Sequence, residues 1–190
     1  VAYLKGMLDD ENRFLNLGQS LAGIEIPASG AKIIVDGFEQ GLVEETEENL
    51  TTLTQMYLLA SEYEAALAPA LEVAEMSESG DGYDTYGYLH YVMRNYQDAA
   101  DAFQMAIDKG NLSNRADTLL FLARALIELD AFEAAKEAAT QSADAGGESE
   151  RRSATDYIRF IESTESRYNI IAERRQDAID FYEPYPSLID

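Results

Sequence analysis

His90 is the only histidine in the chain, and histidine is the side chain best suited to act as a base near neutral pH. It lies in the stretch "YDTYGYLHYVMRNYQDAADAFQMAIDKG" (residues 83–110), among several tyrosines. A catalytic histidine needs a nucleophile and an orienting group in a defined geometry, and no such set can be recognised around His90. The elements that position this residue therefore decide whether it serves catalysis or packing.

Composition argues against most other catalytic and metal-binding chemistry. The chain has no cysteine, which excludes disulfides, thiolate nucleophiles and thiolate metal sites. A single histidine excludes the zinc motifs that need two. The acidic segment "SESGDGYD" (residues 77–84) lacks the ligand spacing and final glutamate of an EF-hand loop. The sequence therefore predicts no enzyme, no cofactor and no metal site.

The charge is strongly negative, with 36 acidic and 14 basic residues and a net charge of −22. Such a surface repels phosphate backbones and anionic lipid, which argues against nucleic acid and membrane partners. The chain also has no apolar run long enough to cross a bilayer. Two interpretations of the acidity stay open: a basic protein partner, or solubility alone.

A pattern of large and small residues recurs three times, beginning at Leu50, Tyr83 and Leu119. Each unit has large residues at offsets 0, 3 and 7, a small residue at offset 4, and then an aromatic and small residues in a second helix. The pattern resembles the tetratricopeptide repeat family. The resemblance implies an all-α fold of helix-turn-helix repeats stacked into a right-handed superhelix, an α-α solenoid. His90 then takes a packing position at offset 7.

The repeat pattern divides the chain into seven segments. We predict the end of a preceding repeat helix over 1–8, a degenerate helix pair over 9–45, tetratricopeptide repeats over 46–79, 80–115 and 116–147, a capping helix over 149–167 and a C-terminal tail over 168–190. The tail ends in "FYEPYPSLID", whose prolines stop a helix. It is either a free end or an aromatic peptide that docks in a groove.

The resemblance also implies where a partner would bind. In tetratricopeptide arrays the partner lies along a concave groove lined by the first helix of each pair. The groove-facing positions of this chain are Gln55, Leu58, Leu59, Asp84, Tyr88, Tyr91, Val92, Leu120, Arg124 and Ile127. Tyr88 and Tyr91 would be the anchors, because aromatics give a large contact area at low entropic cost. The alternative is that some of these positions pack against the next repeat or the tail.

A narrower resemblance rests on "AIDKGNL", where Ala106, Lys109, Gly110 and Leu112 match "A-x-x-K-G-x-L". With the upstream "GIEIP", it is similar to the C-terminal part of tetratricopeptide proteins associated with TonB energy-transduction systems. That resemblance implies a periplasmic accessory protein, with a cytoplasmic location as the alternative. We therefore predict a non-catalytic scaffold for a protein or peptide partner, with a basic partner as one option. The alternatives are a ligand-binding or enzymatic domain that uses the groove as a pocket, or a structural segment of a larger array. The sequence predicts no oligomeric state.

Overall fold

A computed structural model describes residues 8–183, which form nine α-helices and no β-strand. The helices are α1 (Glu11–Gly23), α2 (Pro27–Glu39), α3 (Glu47–Leu59), α4 (Tyr63–Met76), α5 (Asp81–Val92), α6 (Tyr96–Lys109), α7 (Arg115–Glu128), α8 (Phe132–Ala145) and α9 (Glu148–Tyr182). The chain forms two compact units, one through Asn114 and one from Arg115. Neighbouring helices pack on each other within each unit. The predicted all-α fold is confirmed.

The same turn joins the two helices of every pair. It contains one non-glycine residue with positive φ, at Glu25, Ser61, Arg94 or Asp130. The next backbone N–H donates to the carbonyl five residues earlier, at 2.9–3.0 Å in all four turns. This is the Schellman arrangement, which satisfies the free carbonyls at a helix end. The degenerate first pair closes in the same way as the three regular pairs.

Side chains and proline start several helices where the sequence provides a cap. Asp10 accepts a hydrogen bond from Arg13 N (3.0 Å) at the start of α1. Thr46 accepts one from Asn49 N (3.3 Å) at the start of α3. Pro27 opens α2, where its missing N–H costs nothing. Because these capping signals are local, the starts of α1, α2 and α3 can be recognised in the sequence.

Small residues allow close approach within a pair, as the repeat pattern predicts. A Cβ added to Gly87 on α5 would lie 2.8 Å from the ring of Phe103 on α6. Phe103 and Ala99 are both fully buried at this contact. In the first pair, a Cβ on Gly30 would lie 2.5 Å from the carbonyl oxygen of Gly18. In the α5–α6 pair, the backbone of α5 at Gly87 therefore contacts the ring of Phe103. In the first pair, the backbones of α1 and α2 contact each other directly.

The last helix differs from the prediction. The capping helix predicted over 149–167 continues to Tyr182, so most of the predicted tail is helical. Residues 168–182 contain no glycine or proline, and the two prolines follow at 184 and 186. Ala154 and Ile161 in the first half of this helix are fully buried. Residues 184–190, and nearly all of the helix end predicted over 1–8, lie outside the described residues.

Candidate functional site

A cleft of about 260 Å³ lies between α3, α4 and α5 in the first unit. Its lining residues are Thr51, Thr54, Gln55, Leu58, Ala70, Val73, Gly82 and Thr85. Two helices that each begin a pair, α3 and α5, form its walls, and α4 forms the floor. Gln55 and Leu58 were predicted as groove residues, and the structure brings them together here.

The cleft exists because α5 packs closely on α4 while short side chains line the walls. A Cβ on Gly82 would lie 2.6 Å from the Cα of Ala74, so only glycine allows this approach. Ala70 is buried in the floor and adds little volume. Three of the wall residues are threonines, which cannot reach across to the opposite helix. The hollow is therefore a product of small residues on three helices.

Apart from the side chain of Gln55, the lining offers an apolar surface with little hydrogen-bonding capacity. The hydroxyl of each threonine already donates to a carbonyl one turn earlier: Thr51 to Glu47 (2.7 Å), Thr54 to Leu50 (2.8 Å) and Thr85 to Asp81 (3.1 Å). Their methyl groups and the aliphatic side chains remain for contact. A hollow of this size takes one large side chain and is smaller than a typical ligand pocket of about 300–1,000 Å³.

The unit that contains the cleft is strongly negative. Residues 8–114 contain 20 acidic and 4 basic side chains, while no residue that lines the cleft is charged. Lys109, one of the four basic residues, is held in intramolecular contacts. Its Nζ donates to the carbonyl of Ala74 (2.6 Å) and lies 5.3 Å from the ring centre of Tyr83. The field around the cleft therefore favours a cationic binding partner.

The other predicted groove residues of the first unit lie outside this lining. Leu59 is strongly exposed at the end of α3, and Tyr88 is at the exposed side of α5. Asp84, Tyr91 and Val92 are half-buried. The ring of Tyr91 packs edge-on against Tyr96 with their centres 5.8 Å apart. Tyr91 therefore stabilises the α5–α6 pair, and Tyr88 is the more accessible of the two predicted anchors.

In the second unit, the assignment of Leu120 and Ile127 to an accessible groove is corrected. Leu120 and Ile127 are only 7% and 8% exposed, so a partner cannot reach them. The reason is that α7 is buried on more than one face. Arg124 is half-buried, with its guanidinium carbon 4.9 Å from the ring centre of Phe121 and 5.8 Å from that of Tyr157 on α9. These contacts give Arg124 a place in the packing of α9.

Sequence reasoning missed six residues of the cleft. Thr51, Thr54 and Thr85 lie on the predicted helices at positions other than those the family pattern assigned to the groove. Ala70 and Val73 belong to a second helix, which the pattern did not place in the groove. Gly82 could have been recognised, since a glycine inside a helix often marks a close backbone approach.

His90 fills a packing position. It is buried, its ring meets that of Tyr86 edge-on with centres 4.5 Å apart, and its carbonyl accepts the closing hydrogen bond of the α5–α6 turn. Its Nδ1 is 3.8 Å from Asp98, too far for a hydrogen bond, and neither ring nitrogen has a partner in the part of the chain that is described. No group of three potential metal ligands occurs among residues 8–183.

The "A-x-x-K-G-x-L" residues close the α5–α6 pair. The carbonyl of Ala106 accepts from Gly110 N (3.1 Å), and Gly110, with φ +77, accepts from Gly80 N (2.7 Å). Leu112 lies against Gly80, where a Cβ would meet its side chain at 3.0 Å. With Lys109 bound to Ala74, all four residues of the motif have structural roles in this unit.

The contact between Tyr91 and Tyr96 gives a prediction for stability. In a double-mutant cycle of Tyr91→Ala and Tyr96→Ala, we expect a coupling energy of about 0.5–1.5 kcal/mol from the edge-on ring contact. Urea unfolding followed by circular dichroism measures it. Tyr96→Ala combined with Phe160→Ala, in the other unit, should be additive. Additive effects for the tyrosine pair would show that the ring contact contributes nothing.

Solved structures of MamA resemble this chain. A crystal structure of MamA aligns with a TM-score of 0.69 at 15% identity, covering 93% of this chain and 94% of that one. MamA from Desulfovibrio magneticus RS-1, residues 41 to the end, gives 0.69 at 13% identity, covering 93% and 97%. A double mutant of MamA RS-1 gives 0.69 at 14%, covering 94% and 98%. The sequence matches no protein-family model and no curated protein sequence. The likeness shows a fold of the tetratricopeptide type.

Proposed function

We propose that this protein is a non-catalytic protein-interaction module whose α3–α4–α5 cleft holds an apolar side chain of a partner protein or peptide. The observation that carries the proposal is the uncharged, mostly apolar cleft within a strongly acidic unit. An apolar anchor in a small desolvated hollow is the usual origin of a binding hot spot. The tetratricopeptide-type fold supports the same conclusion, because such arrays commonly present concave binding surfaces.

The charge around the cleft suggests the chemistry of the partner. Basic residues on either side of the apolar anchor would be attracted to the acidic unit and would raise the association rate. The same field opposes nucleic acid, whose phosphates are negative. None of the helices within residues 8–183 is long and apolar enough to cross a membrane. A peptide with an aliphatic or aromatic anchor between lysines or arginines is therefore the expected ligand.

Two alternatives make different predictions. An enzymatic or small-ligand domain needs several convergent polar groups in its pocket. Here the threonine hydroxyls are bonded to their own helices, and Gln55 is the only other polar side chain of the lining. A purely structural segment of a larger array would bind no peptide in the cleft at all. The binding experiment below distinguishes both from the proposed module.

The association with a TonB system and the periplasmic location are a finer proposal that rests on the sequence motif. The structural roles of Ala106, Lys109, Gly110 and Leu112 account for that motif without a partner. Fractionation of the source cells, followed by copurification with TonB-system proteins, tests the proposal. Recovery in the cytoplasm would contradict it and leave the module itself unaffected.

The test of the module selects peptides from a random library on the purified chain and measures their affinity for two matched variants. Thr51→Phe fills the cleft and should weaken binding at least tenfold, about 1.4 kcal/mol. Thr52→Phe is the control, because Thr52 is also half-buried on α3 and bonds the carbonyl of Glu48 (3.0 Å), but it does not line the cleft. Equal affinities of both variants, or no enriched peptide, would contradict the proposal.

A further inference from the structure

The second half of α9 carries a largely apolar stripe, formed by Tyr168, Ala172, Arg175, Ile179 and Tyr182. Apart from a ring contact between Tyr168 and Phe132, nothing in the described part of the chain covers it. All residues from 166 to 183 are exposed, and the large apolar side chains of the stripe are Tyr168, Ile179 and Tyr182. An exposed apolar surface of this extent on a helix usually marks an interaction site. From Tyr168 to Tyr182 the stripe is about 21 Å long at 1.5 Å per residue.

The stripe continues the face by which α9 packs on α8. The positions alternate by three and four residues: Ile158, Ile161, Glu165, Tyr168, Ala172, Arg175, Ile179 and Tyr182. This spacing is the heptad pattern of helices that pair side by side. The same face is therefore intramolecular in its first half and unpartnered in its second.

Contacts show where the intramolecular part ends. Ile161 is fully buried, and Glu165 accepts a hydrogen bond from Lys136 on α8 (3.1 Å). The hydrogen bonds of Lys136 to Glu133 and Glu165 raise the pKa of its amine, so the contact is ionic. Tyr168 then meets Phe132, the first residue of α8, with ring centres 5.4 Å apart. Because α8 begins at Phe132, it does not extend along α9 beyond Tyr168.

Charge favours a second copy of this chain as the occupant. Residues 8–150 carry 28 acidic and 7 basic side chains, so two copies repel each other over most of their surface. Residues 151–183 carry 7 acidic and 6 basic side chains. Four of the positions that flank the stripe, Asn169, Ile171, Gln176 and Ala178, are uncharged, and Glu183 flanks only its last residue. Self-association therefore meets little like charge at its flanks here.

The sequence of the stripe also selects an antiparallel arrangement. If the two helices pair antiparallel, Tyr168 of one copy lies opposite Ile179 of the other, and Ala172 lies opposite Arg175. Each large side chain then faces a smaller one, and the two arginines do not meet. A parallel pair in register would place Arg175 of one copy against Arg175 of the other. It would also bring the acidic regions of the two copies, residues 8–150, side by side.

We propose that the second half of α9 is a self-association site at which two copies of this chain pair antiparallel through Tyr168, Ala172, Arg175, Ile179 and Tyr182. The site shares no residue with the cleft, so pairing uses none of the lining on α3, α4 and α5. Dimerisation would present two clefts to a partner, which strengthens binding to any partner that carries two anchor sequences.

Sedimentation velocity of the full chain over a concentration series tests the pairing. We expect a monomer–dimer equilibrium whose dissociation constant rises at least tenfold in Ile179→Glu. Ile170→Glu is the matched control: Ile170 is 46% exposed and Ile179 is 53% exposed, on the same helix, but Ile170 lies off the stripe. Circular dichroism should show both variants folded. A chain that stays monomeric, or an equal effect of both variants, would overturn the proposal.

Cysteine cross-linking tests the orientation, since the chain has no cysteine of its own. Ala172→Cys and Arg175→Cys are prepared separately with tags of different size. A disulfide-linked heterodimer should form on mixing the two variants and should exceed the homodimers that each forms alone. Efficient homodimers of the single variants would show parallel pairing. If the chain is monomeric and Ile179→Glu abolishes binding of the library-selected peptides, the stripe binds a peptide and not a second copy of the chain. Both results would overturn the proposal.

Discussion

Replacing Phe103 with alanine is expected to lower the free energy of unfolding by about 3–5 kcal/mol, the usual loss for a fully buried phenylalanine. Phe103 is 0% exposed, and its ring lies against Gly87 between α5 and α6. Gly87 has no side chain that could move into the space left behind. The cavity would therefore stay largely open, which places the loss at the high end of such substitutions.

Urea unfolding followed by circular dichroism measures this loss, with Phe160→Ala as the control. Phe160 lies on α9 and is 48% exposed, so its removal should change the free energy of unfolding by no more than about 0.5 kcal/mol. Equal effects at the two positions would contradict the account of how the α5–α6 pair packs.

The second large effect is expected from Gly82→Val, at about 3 kcal/mol of destabilisation, the upper end of the usual range for overpacking. The new Cβ would lie 2.6 Å from the Cα and 2.8 Å from the N of Ala74. Both are backbone atoms, so a side-chain rotation cannot relieve the contact. The helices α4 and α5 would have to separate, and the cleft that they enclose would change shape.

Gly23→Val provides the comparison for this substitution. Gly23 ends α1, and a Cβ added there would meet no neighbouring atom within 4 Å, so the change should cost little. Thermal unfolding of both variants reports the difference. A melting temperature of Gly82→Val equal to that of Gly23→Val would show that the close approach of α4 and α5 is not required.

The helix pairs could be predicted from the sequence because their signals are local. The turn at Arg94 forms from residues 89–95 alone, and the same is true of the turns at Glu25, Ser61 and Asp130. The position of His90 in the repeat indicated packing, and the structure places its ring in the α5–α6 pair against Tyr86. Local periodicity was sufficient for both conclusions.

The cleft and the length of α9 could not be predicted in the same way. The cleft depends on how closely Gly82 approaches Ala74, which is a property of two helices separated by a loop. The predicted groove positions followed a family pattern, and that pattern does not reveal that Leu120 and Ile127 are buried. The capping helix was predicted to end at residue 167, well before the prolines at 184 and 186. The helix continues because residues 168–182 contain nothing that breaks it.

The central claim is that the α3–α4–α5 cleft binds the apolar anchor of a partner, and the most direct test is amide chemical-shift mapping with a peptide selected on the full chain. We predict that the largest shifts occur at Thr51, Gln55, Leu58 and Thr85, which line the cleft. Thr140 and Thr155, in the second unit, should stay unchanged. Shifts concentrated outside the cleft would contradict the claim.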